Sequence, residues 1–250
     1  MSTKSAATLS DAAASRSDEI TMTLRTEILS GQYRAGERLP SERDLAVRFH
    51  TARGPVREAL KRLEQLGIAS IHQGGARAVA IDEATLDVLG PLLDLDPLPD
   101  PRLIDQVFEI FGVLVHVAAD AAVRNATDVQ MHEIKRRAMS LLDDDMGQLA
   151  RHAALREFTG YLVQVADHLV LTLIMNGLVT HCLRRLAERK IEIDLDNASY
   201  RRIATELCRA VDERDHEALG CAMQKLNRFF RDSVGVALAA RRNARKSSNA

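Results

Sequence analysis

Between Asp18 and Ile81 the punctuation residues leave room for very few folds. Ile20, Leu24 and Ile28 recur on a helical period that Gly31 stops, which predicts a first helix over 18–30. Gly36 and Pro40 then mark a turn, and Ser41-x-x-Asp44 has the spacing of a cap opening a short helix over 41–49. Pro55 stands where a first helical turn needs no N–H, and Val56, Leu60 and Leu63 carry an apolar stripe on to Leu66. Gly67 ends that helix. Residues 68–81 have β-branched side chains on both sides of Gly74-Gly75 and read as a two-stranded hairpin. Three helices followed by such a hairpin make a winged helix-turn-helix over residues 18–81.

Charge separates this module from the rest of the chain. From Arg34 to Arg77 there are nine Lys or Arg and five Asp or Glu, a local net charge of +4 in a chain whose total is −1. The sign suits a nucleic-acid duplex. From Asp82 to Glu109 the balance reverses to eight acidic residues against Arg102 alone, with Pro91, Pro97, Pro99 and Pro101 in the same stretch, so 82–102 is expected to be a linker. Beyond it, 103–125 is apolar around most of a helix, as in the middle of a bundle, and further helical periods cover 128–142, 146–167, 169–190, 198–211 and 215–240. No strand signal follows Ile81. With 4% aromatics and no Trp, the core is built from Leu, Val, Ile and Ala, and the fold class is mainly α. The small polar residues 1–17 read as a disordered arm, and 241–250 as a frayed basic tail.

The run ILSGQYRAGERLPSERDLAVRFHTARGPVREALKRLEQLGI resembles the amino-terminal domain of the GntR family of bacterial transcription regulators, and the all-helical remainder resembles the effector domain of its FadR subfamily, the FCD type. The resemblance implies a homodimer that binds an inverted-repeat operator in double-stranded DNA, with Arg43, Arg53 and Arg57 reaching guanine edges or phosphates. It also implies that His72, Gln73 and Gly74 enter the minor groove as the wing tip. Two positions depart from the family pattern. Ala52 replaces the Ser that caps the recognition helix, a role expected to pass to Thr51. Gly54 follows Arg53 with no side chain to read a base, so direct readout is expected to fall on the three arginines.

Metal-binding relatives hold an ion with Asp-x-x-Phe-His on one helix and two histidines further on. Here Leu155, Thr159, Ala204 and Leu226 (or Asn227, one residue on) stand at those positions, and Phe111 and Val115 replace the Arg and Glu of the first effector-domain helix. None is a metal ligand of the required kind. These six residues are expected to line a metal-free, apolar effector pocket, without cofactor. His116, His152 and His168 have no spacing of a ligand set, and Cys182, Cys208 and Cys221 read as small hydrophobes in a reducing cytoplasm.

No run is read as long and apolar enough to cross a bilayer, the densest being 112–119, and no membrane partner is expected. No Ser/His/Asp or Cys/His set, phosphate-binding glycine loop or HExxH appears, so an enzyme is not expected. Two functions remain: a regulator, by family habit a repressor, whose operator affinity a small apolar metabolite modulates, and a dimeric DNA-binding protein whose helical domain only dimerises.

Overall fold

The computed structural model describes residues 3–143, 145–189, 193 and 195–248, which fall into two compact units divided after Pro97. The first unit contains α1 (Thr3–Leu29), α2 (Glu42–Arg48), α3 (Arg53–Gln65), β1 (Ala69–His72) and β2 (Gly75–Ala78). Its core is aliphatic: Ile20, Leu24 and Ile28 of α1 meet Leu45 of α2, Val56, Leu60 and Leu63 of α3, and Ile68. Each such side chain, once buried, stabilises the fold by roughly 1.5–3 kcal/mol. The predicted cap is present, since the Asp44 N–H donates to Ser41 Oγ at 3.2 Å. The α2–α3 turn passes through His50 in the left-handed region at φ 46°, a conformation a non-glycine residue seldom takes.

β1 and β2 are antiparallel, from Ala69 opposite Ala78 to His72 opposite Gly75. The wing has a third, shorter member that sequence reading did not anticipate. Leu39 N–H donates to Ala76 O and Ala78 N–H to Glu37 O, both at 2.9 Å, so the segment ahead of α2 pairs along β2. This ties the hairpin to the start of the helix-turn-helix.

The ends of this unit differ from expectation. Where an irregular arm was expected over 1–17, the backbone is helical from Thr3; the several alanines of 6–15 are strong helix formers, which is the local reason. Met1 and Ser2 lie outside the described residues. The expected linker, 82–102, is largely structured too. Single 3-10 turns at Ile81–Glu83 and Leu86–Val88 lead into α4 (Leu89–Leu93); Val88 at the end of the second turn and Leu93 of α4 are buried, and α4 packs on α1. Acidic residues and prolines mark turns and helix starts here rather than a free tether, because the aliphatic residues between them find a core.

The second unit is a helical bundle: α5 (Pro101–Asn125), α6 (Asp128–Ser140), α7 (Gln148–Val165), α8 (Leu169–Leu178), α9 (Arg184–Glu188), α10 (Asn197–Asp212) and α11 (His216–Ser248). A π turn over Val179–Leu183 joins α8 to α9 in one continuous helical run. α5 packs chiefly on α11 and also meets α7 and α8, while α10 bridges α11 and α6. Asp100 caps α5 by accepting from the Arg102 N–H at 3.0 Å, and Thr127 with Gln130 forms a reciprocal cap on α6. The expected frayed tail is helical through Ser248, with Asn249 and Ala250 outside the described residues.

Contrary to the sequence reading, two helical stretches, Pro101–Asn125 and Leu169–Glu188, are by length and composition apolar enough to cross a membrane. In α5 that apolarity serves the bundle: Ile104, Val107, Val115, Ala118, Ala119 and Ala122 are all buried in the unit's interior.

Candidate nucleic-acid interface and bundle cavities

α3 begins with no side-chain cap: Ala52 offers none, and the expected replacement by Thr51 does not occur among the described residues. Thr51 instead spends its backbone N–H on Ala46 O at 2.9 Å, closing the α2–α3 turn. The first-turn N–H groups of α3 therefore face outward from an exposed end that carries Arg53 and Gly54. A helix start of this kind favours anionic oxygen atoms.

Arg43 on α2 and Arg53 on α3 are exposed, and among the described residues neither guanidinium has a hydrogen-bond or ion-pair partner. Arg57 is different: its Nε donates to Glu42 Oε2 at 2.8 Å, which aims it back across the α2–α3 corner. The remaining cations of the module divide by what they hold. Arg48 forms a fork on Glu27 of α1 and lies over the Phe49 ring at 5.0 Å. Arg62 pairs with Asp18 of α1. Arg77 donates to Gly36 O at 2.8 Å. These three fasten the module to itself. No short-range pattern reveals such pairs, since the partners lie on different elements.

His72, Gln73 and Gly74 are all exposed at the hairpin tip. The glycine that the geometry requires is the next one, Gly75: its φ is +110°, and a Cβ there would lie 3.3 Å from Nε of Arg38.

In the bundle, five of the six residues expected to form a pocket surround one cavity of about 120 Å³: Phe111 and Val115 from α5, Leu155 and Thr159 from α7, and Leu226 from α11. Ala204 does not line it; it lies fully buried in the core, on α10. Phe108, Met223, Asn227 and Phe230, which sequence reading left out of the pocket, complete the wall. Asn227 donates to Phe108 O at 2.7 Å. That contact depends on Gly112, whose position for a Cβ lies only 2.5 Å from Asn227 Nδ2.

The residues that the resemblance sets against a metal site, Leu155, Thr159 and Leu226, lie on a largely hydrocarbon wall and Ala204 in the core, a donor set that does not fit a divalent ion. No three His, Cys, Asp or Glu side chains come together elsewhere among the described residues. Burial pushes the Cys182 and Cys208 thiols up to about 11, so neither is a ready thiolate.

Three helices, an outward-facing third helix and a glycine-dependent wing define a DNA-binding module of the winged helix-turn-helix class. Residues 16–79 match the family model described as bacterial regulatory proteins, gntR family. The chain thus carries a GntR-family DNA-binding domain over residues 16–79, the module of a transcriptional regulator.

It is similar to the HTH-type transcriptional regulator Mce2R of Mycobacterium tuberculosis, with 28% identity over 76% of this chain and 81% of that protein. It is also similar to the HTH-type transcriptional repressor NanR of an Enterobacter species, with 29% identity over 62% of this chain and 63% of that protein. The solved structure of Lar, described as controlling the Listeria monocytogenes agr system, shares the fold at a TM-score of 0.51 and 16% identity, over 90% of this chain and 96% of that one.

Proposed function

We propose that this regulator acts in the cytoplasm as a homodimeric repressor of the FadR subfamily, and that a small molecule held in its helical unit alters its grip on an inverted-repeat operator. Direct base readout falls on Arg43 and Arg53, with Arg57 swinging from Glu42 to the duplex and the backbone at Gly54 meeting phosphate. A guanidinium fork matches O6 and N7 of guanine, and one good bidentate pair discriminates by about 1–3 kcal/mol. His72, Gln73 and Gly74 follow the minor groove.

The observation that carries this reading is the division among the arginines. Arg48, Arg62 and Arg77 are engaged within the module, while Arg43 and Arg53, at the exposed ends of α2 and α3, have no pairing partner among the described residues.

Self-association is supported by apolar side chains left in solvent on the helical unit. Ile110, Val113 and Val117 follow one face of α5, and Leu169, Val170 and Leu173 lie exposed on α8. A twofold dimer presents two recognition helices and so calls for a twofold operator. The effector half rests on the apolar cavity between α5, α7 and α11, which suits hydrocarbon or aromatic groups. Its volume is below the roughly 300 Å³ at which most small-molecule sites begin, so a ligand there has to be small or has to spread the helices.

The test is selection of preferred duplexes from a random pool, followed by binding at several salt concentrations with and without candidate metabolites. The selected sequence is expected to be a palindrome, with log K falling by about 0.9 per phosphate contact per decade of salt. Arg53→Ala is expected to keep the fold and lose the sequence preference. A variant that still prefers the selected palindrome as wild type does removes Arg53 from readout.

A further inference from the structure

The helical unit has a second and larger cavity, of about 340 Å³, where the end of α6 and the loop after it meet α7 and α10. Its volume lies within the range of small-molecule sites. Its wall includes Leu141, Leu142, Arg151, Asn197, Tyr200 and, toward solvent, Asp143.

Arg151 is the unusual member. It is 7% exposed, and its Nε is buried without a hydrogen-bond partner. Its guanidinium lies over the Tyr200 ring, 4.6 Å from the centroid, and Nη1 donates to Asn197 Oδ1 at 2.7 Å. The Tyr200 hydroxyl is already committed to Leu141 O at 3.2 Å. Asp143 forms no ion pair with Arg151: its Oδ1 accepts from the Asp145 N–H at 3.0 Å, and no carboxylate side chain pairs with Arg151 among the described residues.

A guanidinium stays charged at any pH a protein survives, so burial does not neutralise it as it neutralises a lysine. A buried charge without an opposite charge is strongly unfavourable. Arg151 is held flat by an aromatic face and one neutral amide, with its buried Nε N–H left without a partner among the described residues. That is the arrangement of a group waiting for a planar anion, which a guanidinium binds through two parallel hydrogen bonds.

From this we infer that the cavity is a carboxylate-binding site, in which the Arg151 fork takes the acid group of a small organic acid and Tyr200, Leu141 and Leu142 cover its carbon skeleton. The inference deepens the effector reading above and rests on it for biological purpose, not for binding itself. The two cavities share an aromatic wall: Tyr200 packs against Phe229 and Phe230 with ring centroids 6.5 and 6.4 Å apart, and Phe230 also lines the apolar cavity. An acid on Arg151 therefore lies one ring layer from the hydrocarbon pocket.

The full-length protein is titrated with hexanoate, hexanamide and inorganic phosphate by calorimetry and thermal shift, without DNA. Hexanoate is expected to bind saturably, with hexanamide at least tenfold weaker because it brings no charge. Arg151→Gln is expected to lose hexanoate binding by tenfold or more. Arg151→Lys, which keeps the charge but not the fork, is expected to fall between. Circular dichroism reports whether each variant folds, and the acid-against-amide comparison needs only the wild-type protein.

Equal affinity for hexanoate and hexanamide, unchanged binding by a folded Arg151→Gln protein, or saturation by none of the three would overturn the site. Saturation by phosphate alone would overturn the carboxylate class. Operator binding is then repeated with hexanoate. Hexanoate that binds through Arg151 yet leaves operator affinity unchanged leaves the site standing and removes the regulatory reading. An operator response to neutral apolar compounds, with no Arg151-dependent acid binding, does the reverse.

Discussion

Replacing Gly112 by alanine sets two effects of known size against each other. Alanine is favoured over glycine in a helix interior by about 1 kcal/mol, so on an unencumbered α5 the change stabilises. Gly112 is encumbered: the new Cβ would stand 2.5 Å from Asn227 Nδ2 and 3.3 Å from Asn227 Cγ, which forces the amide aside. The 2.7 Å hydrogen bond to Phe108 O is then lost, a net of about 1 kcal/mol. Crowding an extra carbon between two packed helices costs about 1–3 kcal/mol more. The sum is a destabilisation of about 1–3 kcal/mol, read as a lower urea midpoint with unchanged slope.

A second substitution isolates the cause. Asn227→Ala removes the obstruction, and Phe108 O keeps its ordinary helical partner, so Gly112→Ala with Asn227→Ala is expected to recover most of the loss. Asn227 also lines the apolar cavity, so the single variant is expected to change that cavity while the first unit is untouched. Gly112→Ala at or above wild-type stability, or a double variant no better than the single, would show that α5 and α11 do not need this close approach.

Two further outcomes concern the charged and buried groups. Glu27 is only 12% exposed in side chain and holds Arg48 by a fork. A hydrogen bond to a charged partner contributes about 1.5–3 kcal/mol. Arg48 is 42% exposed, so solvent screening reduces this and Glu27→Ala is expected to destabilise by about 1 kcal/mol. Asp18→Asn, at the exposed pair with Arg62, is expected to change stability by less than about 0.5 kcal/mol; equal losses in urea melts would contradict that ranking. Burial, helped by the neighbouring Arg151 charge, holds the His152 imidazole below its ordinary value of 6.5. The unfolded chain then takes up a proton that the folded one resists, so this contribution is fully present above pH 6.5 and is lost as the pH falls through 6.5 toward the folded value. His152→Phe is expected to flatten that part of the stability curve, and a curve parallel to wild type between about pH 5.5 and 7.5 would refute the assignment.

How much of this was legible in the chain depended on distance along it. Caps, stops and helical periods are written within a few residues of where they act. Ser41 with Asp44, Gly67 after Leu63, and Gly74-Gly75 between β-branched residues therefore marked the winged module, and the six bundle helices were located to within a few residues, except that α11 continues well past Ala240. The resemblance assigned Arg43, Arg53, Arg57 and five of the residues around the apolar cavity. Locally misleading signals produced the errors: acidic residues and prolines over 82–102 looked like a tether, although Val88 and Leu93 are core. Of the Gly74-Gly75 pair that marked the hairpin, Gly75 is the one with the positive φ, which only the folded backbone shows.

By itself the sequence determined what short-range forces specify: a basic winged module, an aliphatic helical bundle after it, and a set of arginines of the type that reads DNA. Tertiary structure alone decided which arginines are engaged. Among the described residues, Arg48 meets a glutamate on another helix, Arg43 meets none, and Arg151 is buried with a tyrosine ring and an amide but no acid. The reason is physical: the energy of a charge depends on its solvation and on opposite charges within a few ångströms, and both are set by chain segments far apart in sequence.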